Sequence, residues 1–258
     1  MSFPRTLFRR ARLGLAVAAA AVVAVIVSQM PGLKAAGPST LVTAVTVPWQ
    51  GIPGQAHVIG DTAGTTTIIV QGVAYAAGTS NYANCAQISQ VRWDFGDGAS
   101  QVIACNAVNL GVSHTYPVSV VGTPYTATLT LTDTSGNTSS ANFRISVQPK
   151  SIDLEANMAI DKGLWYLHTS LSRGVNGTVK VGNWSSTTVV SGTATSINAF
   201  EVNNHLPSGD ALVNPYVDDV QRALAYLGTG QSLSAGDPVR SERSVHGELL
   251  RCRRLGPA

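Results

Sequence analysis

The stretch Val91-Arg92-Trp93-Asp94-Phe95-Gly96-Asp97-Gly98 decides the fold of this chain. Apolar and polar residues alternate up to Phe95, which is typical of a strand with one buried face. Gly96 and Gly98 permit backbone conformations that residues with a Cβ avoid, and the Asp between them can accept N–H bonds in a turn. The stretch therefore predicts a strand that ends in a tight turn. Trp93 is expected to be a core anchor whose indole N–H needs a partner.

Further strands are predicted on both sides of that turn. Alternating or β-branched runs occur at Leu41–Val47, Thr65–Val73, Tyr125–Thr132 and Asn142–Val147. The run Tyr125–Thr132 has strict period 2, with Thr on one face. Short strands at this spacing, with Gly, Pro, Asn and Asp between them, indicate an all-β sandwich of about 100 residues.

The composition agrees with a β-rich chain. Of the 258 residues, 12% are charged and 44% are hydrophobic, whereas a soluble globular chain has roughly 25% charged residues. Low charge with a normal apolar content excludes a charge-driven disordered chain and a coiled-coil protein. Hydroxyl side chains on the strands occupy the positions where other proteins carry Lys and Glu.

The net charge of +3 comes from the two ends of the chain. Residues 1–36 hold five bases and no acid, and residues 237–258 hold five bases and three acids. The part between them, 37–236, has seven bases, eleven acids and a net charge of −4. Nucleic-acid binding needs clustered Lys and Arg, so nucleic acid is not expected as a partner.

The N-terminus, residues 1–36, is typical of an export signal. Arg5, Arg9, Arg10 and Arg12 precede the uncharged apolar run Leu13–Val27. This run is short for a spanning helix, which needs about 20 residues, so a cleaved signal peptide is predicted. An uncleaved membrane anchor formed by residues 13–33 is the alternative, and a buried helix of the fold is a third. The expected location is extracellular or in the cell envelope.

Three cysteines are present, at positions 85, 105 and 252. Export permits a disulfide, and Cys85 and Cys105 flank one predicted hairpin, so we pair them. Two buried free thiols are the alternative. No CxxC motif or Cys/His cluster occurs in the sequence, so no metal site and no cofactor are expected.

The central segment resembles the polycystic kidney disease (PKD) domain, an immunoglobulin-like β-sandwich. The resemblance covers about 43–148 and rests on two groups of residues in the family's order and spacing. They are Trp93, Asp94, Phe95, Gly96, Asp97 and Gly98, followed by His114, Tyr116, Gly122, Tyr125 and Asp133. The stretch between Tyr116 and Tyr125 is longer than the family's usual one. The resemblance implies that these residues are structural.

Three polar members of this set have alternative interpretations. Asp94 and Asp97 are expected to cap the turn, but together with Asp133 they offer carboxylate oxygens to Ca²⁺. His114 is expected to be a hydrogen-bonded structural histidine, because no nucleophile motif lies beside it to make it a catalytic base. The rings of the two tyrosines, at 116 and 125, are expected to pack with their hydroxyls near the surface.

After Gln148 the apolar period changes to that of helices, which predicts a helical region over 151–230. Ser151 is the expected N-cap of the first helix, Ala194–Leu206 reads as a second, and Pro215 opens a third. The polar stretch Gly174–Gly192 is expected to connect the first two.

Two segments of this region are similar to each other, Ala159–Leu167 and Val220–Leu227. They look like helix-pair units of α/α-toroid proteins such as prenyltransferases and squalene cyclases, and this weak resemblance covers 153–228. The adjacent Asp218 and Asp219 are expected on a solvated helix face. Residues 237–258 are expected to be disordered or non-native sequence after a frameshift or early end, or else a basic tail for a partner.

The expected protein is exported and non-catalytic, with a mainly β fold and a short, incomplete helical region. Its PKD-like domain would act as a spacer or as a module that binds protein or extracellular polysaccharide. Trp49, Tyr82, Trp165 and Trp184 are aromatic candidates for stacking on sugars, although each also suits packing in the core. The alternative is a truncated fragment of a larger secreted or membrane-anchored enzyme with a toroid-like helical domain.

Overall fold

A computed structural model describes residues 40–60, 65–117, 122, 124–184 and 187–229. The predicted export signal at 1–36 and the predicted tail at 237–258 lie outside the described residues. Within the described ranges, none of the helices combines the length and hydropathy of a membrane span.

The described residues form eleven strands and three α-helices. The strands are β1 (Val42–Thr46), β2 (His57–Gly60), β3 (Thr65–Val70), β4 (Gly72–Ala76), β5 (Ile88–Asp94), β6 (Ser100–Ile103), β7 (Val112–Pro117), β8 (Pro124–Asp133), β9 (Thr138–Gln148), β10 (Ser172–Asn176) and β11 (Val179–Asn183). The helices are α1 (Ile152–Ser170), α2 (Val189–Val202) and α3 (Pro215–Gly228).

Strands β1 to β9 form the sandwich. One sheet has five strands in the order β2-β9-β8-β5-β6. Strand β2 runs parallel to β9, and the other pairs of this sheet are antiparallel. The opposite side consists of two antiparallel pairs, β3 with β7 and β1 with β4. The predicted fold class, an immunoglobulin-like sandwich followed by a short helical region, is confirmed.

The sandwich core is centred on Trp93, which is fully buried. Leu129 pairs with it on β8, and Phe143 on the next strand, β9, meets its ring edge-on with centroids 6.4 Å apart. Val70 and Tyr116 belong to the same cluster on the opposite side. Burial of each such apolar side chain contributes roughly 1.5–3 kcal/mol. The alternation of apolar and polar residues along β5 and β8 therefore matches which side chains of these strands face the core.

The first and third helices begin where the sequence predicts. The hydroxyl of Ser151 accepts the N–H of Leu154, and the side chain of Asn214 accepts the N–H of Tyr216, so both helix starts have side-chain caps. The second helix begins at Val189 and ends at Val202, five and four residues earlier than predicted.

The stretch predicted as a polar connection contains a hairpin. Strands β10 and β11 pair with only Gly177 and Thr178 between them, and Gly177 has a φ of 61°. Glycine adopts this backbone conformation readily, which is why it suits the first position of a two-residue hairpin turn.

A second core joins the helical region to the sandwich. One face of the β1–β4 pair supplies Val45, Val47, Val73 and Tyr75 to this core. From the helical region, the buried residues of the same core are Leu164, Trp165, Leu171, Trp184, Ile197, Phe200, Tyr216, Val220 and Ala223. The helices pack against one another, as Phe200 and Tyr216 do with ring centroids 4.9 Å apart, and they complete this core on sandwich residues.

Candidate functional site

The turn after β5 is built by its own aspartates. Asp94 Oδ1 accepts the N–H of Gly96 at 3.0 Å, and Asp97 Oδ1 accepts the N–H of Ala99 at 3.0 Å. Gly96 and Gly98 both have positive φ, at 78° and 95°. These contacts close the hairpin between β5 and β6, as expected of turn-capping carboxylates.

The imidazole of His114 on β7 contacts one carboxylate and two aromatic rings. Its Nε2 lies 2.7 Å from Asp97 Oδ2, and its ring stacks on Phe95 with centroids 3.8 Å apart. Tyr116 meets the same imidazole edge-on at 4.6 Å. Burial opposes the charge on Asp97, but the hydrogen bonds from His114 and from the N–H of Ala99 together outweigh burial and hold the pKa of that carboxyl below its ordinary value. The histidine therefore fastens β7 to the hairpin turn.

The remaining aromatic members of the motif are also fastened by hydrogen bonds. Trp93 Nε1 donates to the Leu110 carbonyl at 2.8 Å. The hydroxyl of Tyr125 donates to the Pro117 carbonyl at the surface. The expectation of a surface hydroxyl is wrong for Tyr116, whose side chain is fully buried and donates to the Phe95 carbonyl at 3.1 Å. Tyr116 therefore fills the sandwich core at the end that carries the hairpin turn.

Asp133 and Gly122 shape two further turns. Asp133 accepts the N–H of Leu41, which holds the pKa of this carboxyl below its ordinary value, and it also accepts the N–H groups of Ser135 and Asn137. The N–H of Gly122, which has a φ of 88°, donates to Val147.

The calcium alternative required three carboxylates in one place. Asp94 pairs with Thr128 and Ile88 pairs with Asp133 in the register of β5 and β8, so Asp133 stands at the opposite end of these strands from Asp94. Among the described residues, no group of three or more His, Cys, Asp or Glu side chains is placed to hold a metal ion.

The predicted disulfide between Cys85 and Cys105 is confirmed. It flanks the hairpin of β5 and β6 and closes a loop with a sequence separation of 20. From Cys105 the chain continues into the segment 106–111, whose carbonyls receive side chains from both the sandwich and α1.

A charged network lies in the second core. Asp219 on α3 accepts from His168 Nδ1 on α1 at 2.5 Å and from Arg173 Nη2 at 2.6 Å. His168 Nε2 lies 2.9 Å from the Val108 carbonyl of the sandwich. Burial lowers the pKa of the Arg173 guanidinium, but the charge and hydrogen bond of Asp219 together with the charge of Asp218 outweigh burial and raise that pKa. The network therefore ties two helices and a sandwich loop together.

The neighbouring Asp218 extends this network. Its carboxylate accepts from Arg222 Nε at 2.6 Å and lies 3.7 Å from Lys180 Nζ. The expectation of a solvated acidic pair is therefore wrong, because both carboxylates are buried. Buried carboxylates persist when cations pair with them, and here β10, β11 and α3 itself supply the cations.

These buried groups fit a structural role better than a catalytic one. Both ring nitrogens of His168 are taken, one by Asp219 and one by a backbone carbonyl, and its side chain is fully buried. A general base must reach a proton on a substrate. His57 is likewise buried with Nε2 on the Val47 carbonyl, and His205 is buried against Asn214.

A groove of about 340 Å³ opens beside the helical region. Its walls come from the segment between β1 and β2, the segment between α2 and α3, and the first turn of α3. Asn204, which lines the groove, and Gln50, which precedes the lining residue Gly51, have φ of 66° and 47° in the left-handed region. Such strain of non-glycine residues occurs preferentially at functional sites. Leu206, Ser208, Asp210 and Val213 are among the residues that line the groove.

The four aromatic candidates for sugar stacking are placed differently. Trp165 and Trp184 are buried in the second core, and Trp184 Nε1 donates to the Leu167 carbonyl. Tyr82 packs against Tyr75 and beneath the Arg173 guanidinium. Trp49 is half-buried and meets His57 edge-on.

Comparison with known proteins gives one family match. Residues 58–147 match the family model of the PKD domain, which corresponds to the chain from β2 to β9. The chain is also similar to the solved PKD1 domain of the Vibrio cholerae metalloprotease PrtV. The sequences are 20% identical, the alignment covers 36% of this chain and 99% of that chain, and the TM-score is 0.20. No curated protein matches the chain.

Proposed function

We propose that this protein, in which residues 58–147 form a PKD domain, is an exported, non-catalytic protein of the cell surface or extracellular space. PKD domains are non-catalytic modules that commonly serve as spacers or binding units in secreted proteins. In this chain the domain acts as a rigid spacer, or as a module that binds a surface protein or an extracellular polysaccharide.

One observation above all supports a rigid connection between the sandwich and the helical region. His168 of the helical region contacts both Asp219 on α3 and the Val108 carbonyl of the sandwich, at 2.5 and 2.9 Å. Only Pro149, Lys150 and Ser151 separate β9 from α1. A short connection and a buried network together oppose hinge motion, which otherwise is the default between units of one chain.

The groove supports the binding version of the proposal. Leu206 and Val213 offer apolar surface, while the exposed Ser208 and Asp210 offer a hydroxyl group and a carboxylate. Polar oxygens beside apolar surface suit a hydroxyl-rich ligand such as a polysaccharide segment, whose hydroxyl groups can donate to them. The groove lies between the helical region and the segment that follows β1, so both parts of the chain would contribute to recognition.

Binding is tested with the full chain on an array of polysaccharides and in a pulldown with cell-wall material. Ser208→Trp would fill the groove, and Ser140→Trp, at an exposed position on β9, is the matched control. If the groove binds the ligand, Ser208→Trp should lose retention on the array and in the pulldown, whereas Ser140→Trp should keep it. Equal retention of both variants would contradict a role for the groove, and uniform absence of binding would leave the spacer role.

Export is tested separately. Cell fractionation should recover the protein outside the cytoplasm, and N-terminal sequencing should find a chain that begins after the apolar run Leu13–Val27 if the signal is cleaved. An intact N-terminus in the membrane fraction would identify an anchor. Recovery in the cytoplasm alone would contradict export.

A second candidate is that the chain belongs to a larger secreted or membrane-anchored enzyme with a toroid-like helical domain. The similarity between Ala159–Leu167 on α1 and Val220–Leu227 on α3 favours it, because repeat proteins stack such units in series. An immunoblot of native cells with an antibody against the sandwich distinguishes the two. A band far heavier than 26.8 kDa would favour the enzyme.

A further inference from the structure

Helix α1 carries an uncharged row of residues on its exposed face. The row consists of Ile152, Ala156, Ala159, Gly163, Tyr166 and Ser170, all exposed. The side chains of Ile152 and Tyr166 are 85% and 69% exposed. A surface helix normally presents charged and polar residues to water. This row also repeats with alternating steps of four and three residues, the spacing of a coiled-coil seam.

The row is separate from the face that α1 uses within its own chain. Leu154, Leu164, Trp165 and His168 are the buried residues of the helix, and they face the sandwich and α3. Helical geometry of 3.6 residues per turn places the seam on the opposite side of the helix. The described chain therefore covers one face of the helix and leaves this seam exposed.

We propose that the exposed seam of α1 binds the α1 seam of a second copy of this chain, in antiparallel orientation. Charge complementarity identifies the partner. Glu155 and Lys162 lie seven residues apart on the same flank of the seam, just before Ala156 and Gly163. In an antiparallel pair the same flank of each helix meets, so Glu155 faces Lys162 of the partner subunit. By symmetry, Lys162 faces Glu155 of the partner subunit.

The same register also matches side-chain sizes. When Glu155 is opposite Lys162 of the partner subunit, Ala156 is opposite Ala159 of the partner subunit. One layer further out, Ile152 is opposite Gly163 of the partner subunit. A large side chain thus meets the residue without a side chain, and small residues at the centre allow the helices to approach closely.

A parallel pair would lack this complementarity. Parallel seams bring opposite flanks together, which would place Glu155 and Lys162 against Ile160 and Leu167 of the partner subunit. In the present structure Glu155 pairs with Lys150 at 2.9 Å, but both side chains are about half exposed, at 52% and 51%. An exposed pair of this kind contributes little to stability, so Glu155 can change its partner readily.

Sedimentation equilibrium of the full chain in a non-ionic detergent tests the proposal, with the concentration varied from about 1 to 500 μM. A single helix pair is a small interface, so a dimer with a dissociation constant on the order of 10–100 μM is expected. Ala159→Arg places a charge in the middle of the seam and should leave the chain monomeric. Val202→Arg, at an exposed position on α2, is the matched control and should dimerise like the unmodified chain.

A charge exchange tests the orientation. Glu155→Lys and Lys162→Glu should each raise the dissociation constant about ten-fold, because each places like charges opposite one another twice. The double variant E155K/K162E should restore the original value. A chain that stays monomeric at 500 μM, a dimer that survives Ala159→Arg, or a double variant as weak as the single ones would overturn the proposal. Circular dichroism should show unchanged helix content in every variant, because all these positions are exposed.

Discussion

The carboxylate of Asp219 on α3 lies 2.5 Å from Nδ1 of His168 on α1, and both side chains are completely buried. The other nitrogen of this imidazole reaches the Val108 carbonyl of the sandwich. One histidine therefore connects the two helices with the β-domain.

Replacing Asp219 by Asn should destabilise the chain strongly. The change leaves the Arg173 guanidinium buried without its counter-charge, and breaking a buried pair in this way typically costs about 3–5 kcal/mol. Urea unfolding measures the loss. Asp153→Asn in the exposed first turn of α1 is the control and should cost less than about 1 kcal/mol. Similar losses in both variants would show that the network does not hold the helices.

Removing the disulfide should lower the free energy of unfolding by about 3 kcal/mol, because the cross-link between Cys85 and Cys105 closes a loop of about 20 residues in the unfolded chain. The double variant C85S/C105S is compared with the unmodified chain by urea unfolding with and without reductant. Reductant should weaken only the unmodified chain. An unchanged midpoint in that chain would contradict a stabilising disulfide.

His205 should make the fold sensitive to mild acid. Burial lowers the pKa of His205 to about 4, whereas an unfolded histidine titrates near 6.5. The unfolded chain therefore binds a proton first, so stability is full above pH 6.5 and falls as the pH drops towards 4. The loss from this residue is about 3 kcal/mol at pH 4.

The matched variant is His205→Asn, whose Oδ1 can still accept from Asn214 Nδ2, as His205 Nδ1 does at 3.0 Å. Urea unfolding between pH 7 and 4 should give a flatter pH dependence for the variant. Parallel curves for the two proteins would show that His205 titrates alike in the folded and unfolded states.

Two glycines of the hairpin turn should respond differently to alanine. A Cβ on Gly96 would overlap the backbone of Thr126, whereas one on Gly98 would meet nothing within 4 Å. Both have positive φ, so Gly98→Ala should cost only the conformational term of about 1–2 kcal/mol. Gly96→Ala adds a backbone clash and should cost more than about 3 kcal/mol. Thermal unfolding compares the pair, and equal losses would contradict the close approach.

Local patterns allowed the sandwich to be predicted. Trp93, the two glycines after it and the alternation of β8 are features of short segments, and short segments determine strands and turns. The hairpin of β10 and β11 was missed because polar residues and glycines interrupt its apolar residues, so neither strand shows the alternation that predicts a strand. The Gly177-Thr178 dipeptide was the available signal, since glycine at the first position of a two-residue turn favours a hairpin.

The buried network could not be predicted from local patterns. Asp219 is 46 residues from Arg173 and 51 from His168, so only the folded chain brings them together. For Asp218 the sequence did contain one signal, because Arg222 follows four residues later on the same helix face. Two adjacent acids on a helix are usually solvated. The apolar residues around Asp218 and Asp219 did not indicate which cations would pair with them.

The second core has a consequence for the order in which the molecule is assembled. Val45, Val47, Val73 and Tyr75 of the sandwich form one wall of that core, and the helices supply the other. Synthesis proceeds from the N-terminus, so the residues of this wall leave the ribosome before α1, α2 and α3. The helices reach their native packing only against that wall, which makes a folded sandwich their template.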